Sequence, residues 1–375
     1  MKTLLRFSTL LLVLTLFNCK PSTTVPELGT PTLPDVPMAY SAMDLPYAAI
    51  NSNSTDKQNL ERNMRDNPRV TDWGATLGRV LFYDTRLSLN NAVSCASCHK
   101  QSLAFADPVA HSSGFEGRLT PRNSMSIINP LLMDNLFWDS RAGNTIDLTL
   151  QPVQNHIEMG MEDLDQLTEK LAKEKYYKDL FIKAYGSSDI TEEKISRALA
   201  QFLCSMTTFR SKYDNALRAR DDFDSFTPLE KAGKELFFSD RLKCASCHSG
   251  INFAAQTVTG PYTSTGGTAN IGLDQVPTDQ GRGGGKFRIP SLRNIALTAP
   301  YMHDGRFATL DEVLEHYSSG IKDNPFLDPK FRTKDGRPKR LHLSSVEKEA
   351  LKAFLNTLTD KHFTTDKKYS NPFKS

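Results

Sequence analysis

The feature that most constrains this chain is a pentapeptide that occurs twice. Cys-Ala-Ser-Cys-His stands at 95–99 and again at 244–248. Each copy follows a similar decapeptide, at 78–87 and 233–242, in which Gly, Leu-Phe and Arg-Leu recur at the same positions. A repeat with this much internal agreement predicts two copies of one folding unit.

The pentapeptide has the spacing of a c-type haem attachment site. Two thiols three positions apart lie on one helical turn and can each form a thioether with a haem vinyl group, while the following histidine reaches the iron as proximal ligand. A zinc site needs paired Cys-x-x-Cys units close together, and a redox dithiol or a disulfide does not need the histidine. The pattern therefore predicts two covalently bound c-type haems. The residues that bind the first haem are Cys95, Cys98 and His99, and those that bind the second are Cys244, Cys247 and His248.

Helix signals outnumber strand signals along the chain. Thr227, Thr309 and Ser344 each stand three residues before a glutamate, which is the signature of a capping box at a helix start. Apolar periodicity predicts long helices at 164–184 and 192–217. The fold class is therefore mainly α.

The repeat also sets the expected domain organisation. The helical segment at 198–203 is echoed at 350–355, so that three separate matches keep a similar offset. We therefore expect two tandem cytochrome c-like domains, at 57–220 and 221–375, related by internal duplication and holding one haem each. The cysteine left over within them, Cys204, lies in an apolar helical run and is expected to be a buried, inert thiol.

The N-terminal segment predicts export. Two basic residues precede an apolar run at 10–17, which is the pattern of a secretory signal peptide at 1–18. The residues before Cys19 resemble the cleavage box of a bacterial lipoprotein, so lipidated Cys19 would anchor the protein to a membrane, facing the periplasm. A plain secretory signal would instead release it into the periplasm. The segment 19–56, rich in Pro, Ser and Thr, is expected to be an extended tether.

Charge and hydropathy exclude two classes of protein. Lys and Arg number 46 against 43 Asp and Glu, a net charge of +3, whereas nucleic-acid binders carry a strong basic excess. Beyond the first 17 residues no apolar run reaches the ~18 residues of a transmembrane helix. We expect no nucleic-acid partner and no membrane span in the mature protein.

The sixth position of each iron decides whether a haem carries electrons or reacts with peroxide. Spacing offers His111 for the first haem. For the second haem it offers Met302, His303, His316 or Tyr317. The residues alone do not choose among these.

Further motifs make the chain similar to a known family. Together with the two haem motifs, they resemble those of bacterial dihaem cytochrome c peroxidases and their MauG-like relatives, from about residue 59 to residue 363. The resemblance implies an N-terminal haem that reacts with H2O2 and a C-terminal haem that relays electrons. The motifs are Pro-Arg-Asn at 121–123, Phe-Trp-Asp-Ser-Arg-Ala at 137–142, Asn-His-Ile-Glu-Met-Gly at 155–160, and the segments 288–294 and 297–305.

The resemblance also implies roles for residues around the first haem. Glu158 stands at the position of the family's acid–base carboxylate, and such a group helps O–O cleavage by taking a proton from H2O2 and returning it. Trp138 falls between the two haems, and Pro152 falls over the same face of the first haem as Glu158. Where the family often has a glutamine, this chain has Leu148.

A calcium ion between the domains is a further implication of the resemblance. Asn123, Thr298 and Pro300 match the family's site, which combines a side-chain oxygen with two backbone carbonyls and waters. Oxygen ligands of this kind suit a hard cation.

Two departures from the peroxidase pattern concern the sixth ligands. Many of these peroxidases place a histidine where this chain has Phe115, and His111 lies four residues away. At the second haem, peroxidases place a methionine where this chain has His316 and Tyr317, the MauG-like pattern. Tyr317 would then ligate the second iron, with Met302 as the alternative. This combination implies a first haem that is open at rest.

The leading hypothesis is an exported dihaem peroxidase that reduces H2O2 with electrons from a small cytochrome c or another periplasmic donor; the family resemblance also leaves room for a homodimer. The alternative is a MauG-like oxidase that acts on a protein or organic substrate through a high-valent haem. MauG uses a surface tryptophan where this chain has Leu242, and the only tryptophans here are Trp73 and Trp138. A second alternative is a non-catalytic dihaem electron carrier.

Overall fold

Helices of moderate length carry the fold. The computed structural model describes residues 28–46, 55–220, 222–255 and 267–373, so the predicted signal segment and Cys19 lie outside the described residues. In the first half the α-helices are α1 (Thr55–Asp66), α2 (Asp72–Tyr83), α3 (Cys95–Cys98), α4 (Thr145–Thr149), α5 (Gln151–Gln154), α6 (Leu164–Ala172), α7 (Lys175–Tyr185), α8 (Glu192–Cys204) and α9 (Lys212–Ala219). In the second half they are α10 (Pro228–Phe238), α11 (Leu310–Glu315) and α12 (Ser345–Asn356).

Regular strand structure in the described residues is confined to one short pair. The strands β1 (Thr268–Ala269) and β2 (Phe287–Arg288) are antiparallel, with Thr268 opposite Arg288. A π-helical turn, His316–Gly320, continues α11. Short 3-10 turns lie at Thr85–Leu87, Gln101–Leu103, Phe115–Gly117, Pro130–Leu132, Cys244–Ser246, Ile295–Leu297, Pro329–Phe331, Phe363–Thr365 and Lys367–Tyr369. The expectation of a mainly helical fold is confirmed.

The first core forms around helices α2 and α8, which cross in close contact. Gly78 permits this approach, because a Cβ atom added there would lie 1.9 Å from the carbonyl oxygen of Ala198. The rings of Phe82 and Phe202 pack edge-to-face beside the crossing, with centroids 5.3 Å apart. The first haem motif follows α2 directly, so this crossing positions it.

The second core has the same construction around α10 and α12. A Cβ atom added at Gly233 would lie 1.8 Å from the carbonyl oxygen of Ala350 and 2.9 Å from the Cβ atom of Phe354. Gly233 and Ala350 are the counterparts of Gly78 and Ala198 in the sequence repeat. The two halves therefore place equivalent residues at equivalent helix crossings.

Helix starts follow the sequence closely, but the two long helices predicted at 164–184 and 192–217 are each broken. The first divides into α6 and α7 at Glu174, which is extended. The second ends at α8 because the segment that follows it pairs with Asn129, whose N–H donates to Met206 and whose Oδ1 accepts from the Thr208 N–H. The capping boxes at Thr227, Thr309 and Ser344 are confirmed.

The two ends of the described chain meet on the first core. Tyr40, in the predicted tether, is fully buried, and its hydroxyl donates to the carbonyl of Lys368 at 2.7 Å. Phe363, Tyr369 and Phe373 belong to the same core, although they come after the second haem motif. The described part of the tether is thus packed structure, and the C-terminal tail crosses back to the N-terminal half. None of the helices in the described ranges combines the length and apolarity needed to cross a bilayer.

Candidate active site

The first haem motif occupies a single helical turn. Helix α3 carries Cys95 and Cys98, and His99 ends it. The Nδ1 atom of His99 lies 2.9 Å from the carbonyl oxygen of Phe105, so Nδ1–H donates there and Nε2 is left for a metal. Burial lowers the pKa of His99, which keeps the ring neutral as a ligand must be.

Glu158 lies close to the two thiols of this motif. Burial raises the pKa of its carboxyl, and the positive charge of Arg141 opposes that shift. Burial is also the main cause that raises the pKa of Cys95 to about 12 and of Cys98 to about 11, with the negative charge of Glu158 adding to both. No hydrogen bond or ion pair reaches the Glu158 carboxylate from the described residues. A half-buried carboxyl group without a partner is suited to accept and return a proton.

The loop that carries Glu158 is fixed by Phe115. The Phe115 N–H donates to the carbonyl oxygens of Ile157, at 2.8 Å, and of Glu158, at 2.9 Å. Its ring fills the space over Gly160, where an added Cβ atom would lie 2.8 Å away. The position that holds a histidine in many of the resembling peroxidases therefore holds an apolar ring that packs on the loop of Glu158. His111 is bound elsewhere through Nδ1, which lies 2.8 Å from the carbonyl oxygen of Thr120.

Two other residues implied for this site differ in position. Pro152 lies in the single turn of α5, is half-buried, and accepts the Asn155 N–H at 3.3 Å, so it holds the start of the Glu158 loop. Leu148 in α4 packs against the first core as an apolar side chain.

A cavity of about 930 Å³ opens beside the second motif. Its wall includes Cys244, Cys247 and His248 and is completed by apolar side chains from α10, α11 and α12. The Nδ1 atom of His248 lies 3.2 Å from the carbonyl oxygen of Phe253 and 3.1 Å from that of Pro290. Burial lowers the pKa of His248 to about 4, so the ring is neutral. The size and apolar wall suit a large planar ligand.

Tyr317 lies in the same cavity as the second motif. It lines the cavity, and its ring stacks on Phe331 with centroids 5.7 Å apart. Burial raises its pKa, with added effects from Cys247 and Cys244, which places the hydroxyl near both thiols. The described chain offers this hydroxyl no hydrogen-bond partner.

The other residues that could be the sixth ligand of the second haem iron are placed less favourably. The Nε2 atom of His316 lies 3.0 Å from the carbonyl oxygen of Ile271, and His316 is absent from the cavity wall. His303 lines the cavity but stacks on Phe287, with ring centroids 3.7 Å apart. Met302 also lines the cavity and remains the alternative to Tyr317.

Trp138 and Met125 connect the two motifs. Trp138 lines the second cavity, and its backbone carbonyl accepts the Arg288 N–H at 2.7 Å. Met125 accepts from the Arg288 guanidinium through Sδ at 3.0 Å, and its backbone opposes the lowering of the pKa of His99 by burial. The segment around Met125 therefore spans from the first proximal histidine to the wall of the second cavity.

Arg288 is a functional candidate that the sequence motifs contain but do not explain. It is buried in the cavity wall, and its guanidinium donates to the carbonyl oxygen of Phe137 and to the Sδ atoms of Met125 and Met133. No carboxylate pairs with it among the described residues, and burial lowers its pKa to about 10. A buried, unpaired cation is costly unless a ligand supplies the anion.

The three residues implied for calcium all belong to the wall of this cavity. Asn123, Thr298 and Pro300 all line it. The Nδ2 atom of Asn123 donates to the carbonyl oxygen of Val109 at 3.0 Å, which turns Oδ1 away from that contact and leaves it for a cation. The described residues hold no cluster of three or more His, Cys, Asp or Glu side chains of metal-binding geometry.

The cysteines agree with thioether attachment. Cys95, Cys98, Cys204, Cys244 and Cys247 are all free thiols, so neither motif forms a disulfide. Cys204 is fully buried, and burial raises its pKa to about 12, as expected for an inert thiol.

Known proteins share these features. A family model described as di-haem cytochrome c peroxidase matches residues 73–222. Cytochrome c551 peroxidase of Nitrosomonas europaea is 33% identical over 247 residues, which cover 64% of this chain and 71% of that protein. The methylamine utilization protein MauG of Methylorubrum extorquens is 31% identical over 300 residues, which cover 77% of this chain and 79% of that protein. The chain belongs to the di-haem cytochrome c peroxidase family.

A solved structure of a MauG-like protein associated with microbial copper homeostasis has the same fold. Its TM-score is 0.72 and its identity 33%, over 82% of this chain and 95% of that chain. The family resemblance inferred from the motifs is thus confirmed, and the chain is a dihaem peroxidase enzyme. Family membership implies two c-type haems.

The residues of this di-haem cytochrome c peroxidase fit such groups. Each motif offers two free thiols and a neutral histidine whose Nδ1 is bound to a carbonyl oxygen. The second cavity adds the unpartnered Tyr317 hydroxyl and the buried Arg288 cation, which complements a propionate. Leu242 is 5% exposed and lines the same cavity, so the position of MauG's surface tryptophan is interior here.

Proposed function

We propose that this protein is an exported dihaem peroxidase that reduces H2O2 to two waters, using two protons and two electrons from a periplasmic donor such as a small cytochrome c. In this proposal the two tandem units arose by internal duplication and each holds one haem. The unit with His99 reacts with peroxide, and the unit with His248 receives electrons. The equivalent helix crossings at Gly78 and Gly233 support the duplication.

The observation that carries the proposal is the half-buried, unpartnered carboxyl group of Glu158 beside the first motif. A haem attached through Cys95 and Cys98, with its iron ligated by His99, would supply the redox chemistry. Glu158 takes one proton from H2O2 onto an Oε atom and returns it to the departing oxygen, so that this oxygen leaves as water. Burial favours the protonated form, which makes the return step efficient.

Phe115 supports the same step because its side chain cannot ligate the iron. Its ring offers the iron no ligand atom, and it packs over Gly160 in the loop that carries Glu158. Pro152 restricts the same loop at its start. The first site is therefore open to peroxide at rest, without a protein ligand that must first be removed.

At the second site the chain's own residues favour ferric iron. Tyr317 and His248 would hold the second iron; an anionic oxygen ligand would stabilise its oxidised state, whereas a thioether would raise its potential. Arg288 would hold a propionate. Trp138, which is hydrogen-bonded to both halves of the chain, is proposed to carry electrons between the sites.

Two further assignments belong to this proposal. A calcium ion bound by Asn123 Oδ1 and the carbonyl oxygens of Thr298 and Pro300 would fix the wall between the sites. Export through the N-terminal signal, with lipidation at Cys19, would hold the enzyme on the periplasmic side of a membrane.

The experiment compares Glu158→Gln with Glu162→Gln, an exposed glutamate four residues further on. Glutamine keeps the size of the side chain but cannot accept the proton, so the rate constant for reaction with H2O2 should fall by about 10²–10⁴-fold in Glu158→Gln. Glu162→Gln should react at the wild-type rate. Equal rates in wild type and Glu158→Gln would contradict the assignment.

A MauG-like oxidase acting on a protein or organic substrate is the second candidate, because a tyrosine, Tyr317, lines the cavity of the second motif in addition to Met302. The buried Leu242 counts against long-range oxidation of a protein, since no surface tryptophan stands at that position. Turnover of H2O2 with a reduced cytochrome as the only electron source supports the peroxidase. A non-catalytic electron carrier would instead give only low-spin spectra and no reaction with H2O2.

A further inference from the structure

Four lysines surround the mouth of the second cavity. Lys243 lies just before the second haem motif, and Lys330, Lys334 and Lys339 lie on the loop that covers Tyr317. All four line the cavity that contains His248, and we call them the mouth lysines. Lys243, Lys330 and Lys334 are exposed, and Lys339 is half-buried.

The charge of the mouth lysines is not neutralised by the chain. None of the four forms an ion pair within the described ranges. The two acidic residues in the cavity wall are bound by arginines instead, Asp279 by Arg122 and Asp274 by Arg306. The rim of the cavity is therefore positive, although the whole chain is nearly neutral.

Two acidic residues near this rim also form ion pairs with arginines. Asp323 pairs with Arg332 at 3.1 Å, and Asp335 pairs with Arg337 at 2.5 Å. A basic rim that keeps its excess charge attracts an anionic partner and speeds the encounter by up to about 10–10³-fold at low salt.

The position of the rim relates it to electron entry. Lys330 Nζ donates to the carbonyl oxygen of Ser246 at 3.0 Å and lies 3.6 Å from the Sγ atom of Cys247. The residue after it, Phe331, stacks on Tyr317. The turn at Lys334 is held by the Thr333 N–H donating to the carbonyl oxygen of Arg337 at 2.8 Å. Lys330 therefore places positive charge beside Cys247 of the second motif, next to the residue that stacks on the proposed ligand Tyr317.

We propose that the mouth lysines are the docking surface for an acidic electron-donor protein, a small soluble redox protein with Asp and Glu around its own cofactor edge. The inference rests on the proposed function and specifies the donor's chemistry. Each docked donor is oxidised by one electron, and two such events, with two protons, reduce one H2O2 to two waters. A redox protein is favoured over an anionic lipid surface because the lysines line the cavity of the second motif, where electrons would enter.

The test uses the holoenzyme and two double variants of equal charge change. Lys243→Glu/Lys334→Glu reverses two mouth lysines, and Lys175→Glu/Lys178→Glu reverses two exposed lysines of α7 on the first half of the chain. The acidic probe is the soluble domain of a b5-type cytochrome in its ferrous form, and the basic comparison probe is mitochondrial cytochrome c. The rate constant for probe oxidation by H2O2-treated enzyme is measured at about 10 mM and about 0.5 M salt.

The proposal expects the mouth variant to slow oxidation of the acidic probe by about 10–100-fold at low salt, with the difference vanishing at high salt. The α7 variant should differ less than about twofold from wild type. As a readout without turnover, amide shifts of the ¹⁵N-labelled ferric b5-type probe should move on addition of the ferric wild type and not on addition of the mouth variant.

Three results would overturn the proposal. They are equal rates for the mouth variant and the α7 variant, a faster reaction with the basic probe, and binding of phosphatidylglycerol vesicles through the mouth lysines without effect on the acidic probe. Turnover of H2O2 with a neutral small reductant, tetramethyl-phenylenediamine, separates the two levels of inference. If that turnover persists while the lysines have no effect, only the docking surface is wrong; if wild type shows no turnover with it, the peroxidase proposal is wrong.

Discussion

The indole Nε1 of Trp138 donates to the backbone carbonyl of Asn123 at 2.9 Å. The Asn123 N–H donates to the carbonyl oxygen of His303 at 2.7 Å, and its Nδ2 donates to that of Val109 at 3.0 Å. The tryptophan proposed to lie between the haems is thus oriented by the residue proposed to bind calcium. In this proposal Asn123 therefore serves both the calcium site and the electron path.

Loss of calcium should therefore slow electron transfer between the haems. Asn123→Ala removes the side-chain oxygen, and we expect it to lose the cation and to slow transfer by about 10–100-fold through misplacement of Trp138. Asn123→Asp keeps an oxygen at the same place and should retain both. Metal content and the rate of electron transfer after a photolytic pulse measure the two effects. Electron transfer at the wild-type rate in calcium-free Asn123→Ala would show that the position of Trp138 does not depend on the Asn123 side chain.

The pH profile reports the ionisation of Glu158. Burial raises its pKa, so the carboxylate that accepts the peroxide proton is lost as pH falls through a value above that of an ordinary glutamate. The rate constant for reaction with H2O2 should fall on the acid side with this pKa. Stopped-flow rates across pH in wild type and Glu158→Gln test it, and an acid limb that persists in the variant would belong to another group.

Residues that act through local chemistry were predictable from the sequence. The capping boxes at Thr227, Thr309 and Ser344 rest on interactions within one turn, and the structure has all three. The two haem motifs likewise form short helical turns, because the two cysteines of each motif lie within one turn of each other. The helix break after Cys204 was not predictable, since it depends on Asn129, far away in the sequence.

Tyr317 should be the sixth ligand of the second haem. Tyr317→Phe removes the oxygen and should convert that haem to a high-spin ferric signal in electron paramagnetic resonance, whereas Tyr317→Met should raise its midpoint potential. Tyr301→Phe is the matched control, because Tyr301 lines the same cavity while its hydroxyl donates to the carbonyl oxygen of Ile295 at 3.0 Å. If Met302→Leu changes the spectrum and Tyr317→Phe does not, Met302 is the ligand.

The close helix crossings should make both cores intolerant of one methyl group. Gly78→Ala and Gly233→Ala each place a Cβ atom within 2 Å of a backbone carbonyl oxygen, so each should lower the free energy of unfolding by about 1–3 kcal/mol despite the better helix propensity of alanine. Gly143→Ala, with no atom within 4 Å of the new methyl group, should change it by less than about 0.5 kcal/mol. Thermal unfolding of the three holoproteins decides the matter, and a neutral Gly78→Ala would show that the crossing is not close.

The features that sequence reasoning missed depend on distant parts of the chain. Tyr40 stands in a Pro-, Ser- and Thr-rich segment without periodicity, yet it is buried because the C-terminal tail returns to cover it. Arg288 became a candidate only from the structure, in which it is buried and pairs with no carboxylate among the described residues. The mouth lysines are unremarkable in a chain of nearly balanced charge, and their excess appears only where the fold pairs the nearby acids with arginines.

The central claim is that the first haem is open to peroxide at rest, with Phe115 and Glu158 on its free face. The most direct test is stopped-flow absorbance of the fully ferric holoenzyme mixed with about one equivalent of H2O2, the amount that one reactive site consumes. The account predicts a fast change of the Soret band without prior reduction, and a much slower one in Glu158→Gln. No change until one electron has been added would contradict it, and would identify a sixth protein ligand, such as His111, that reduction must first displace.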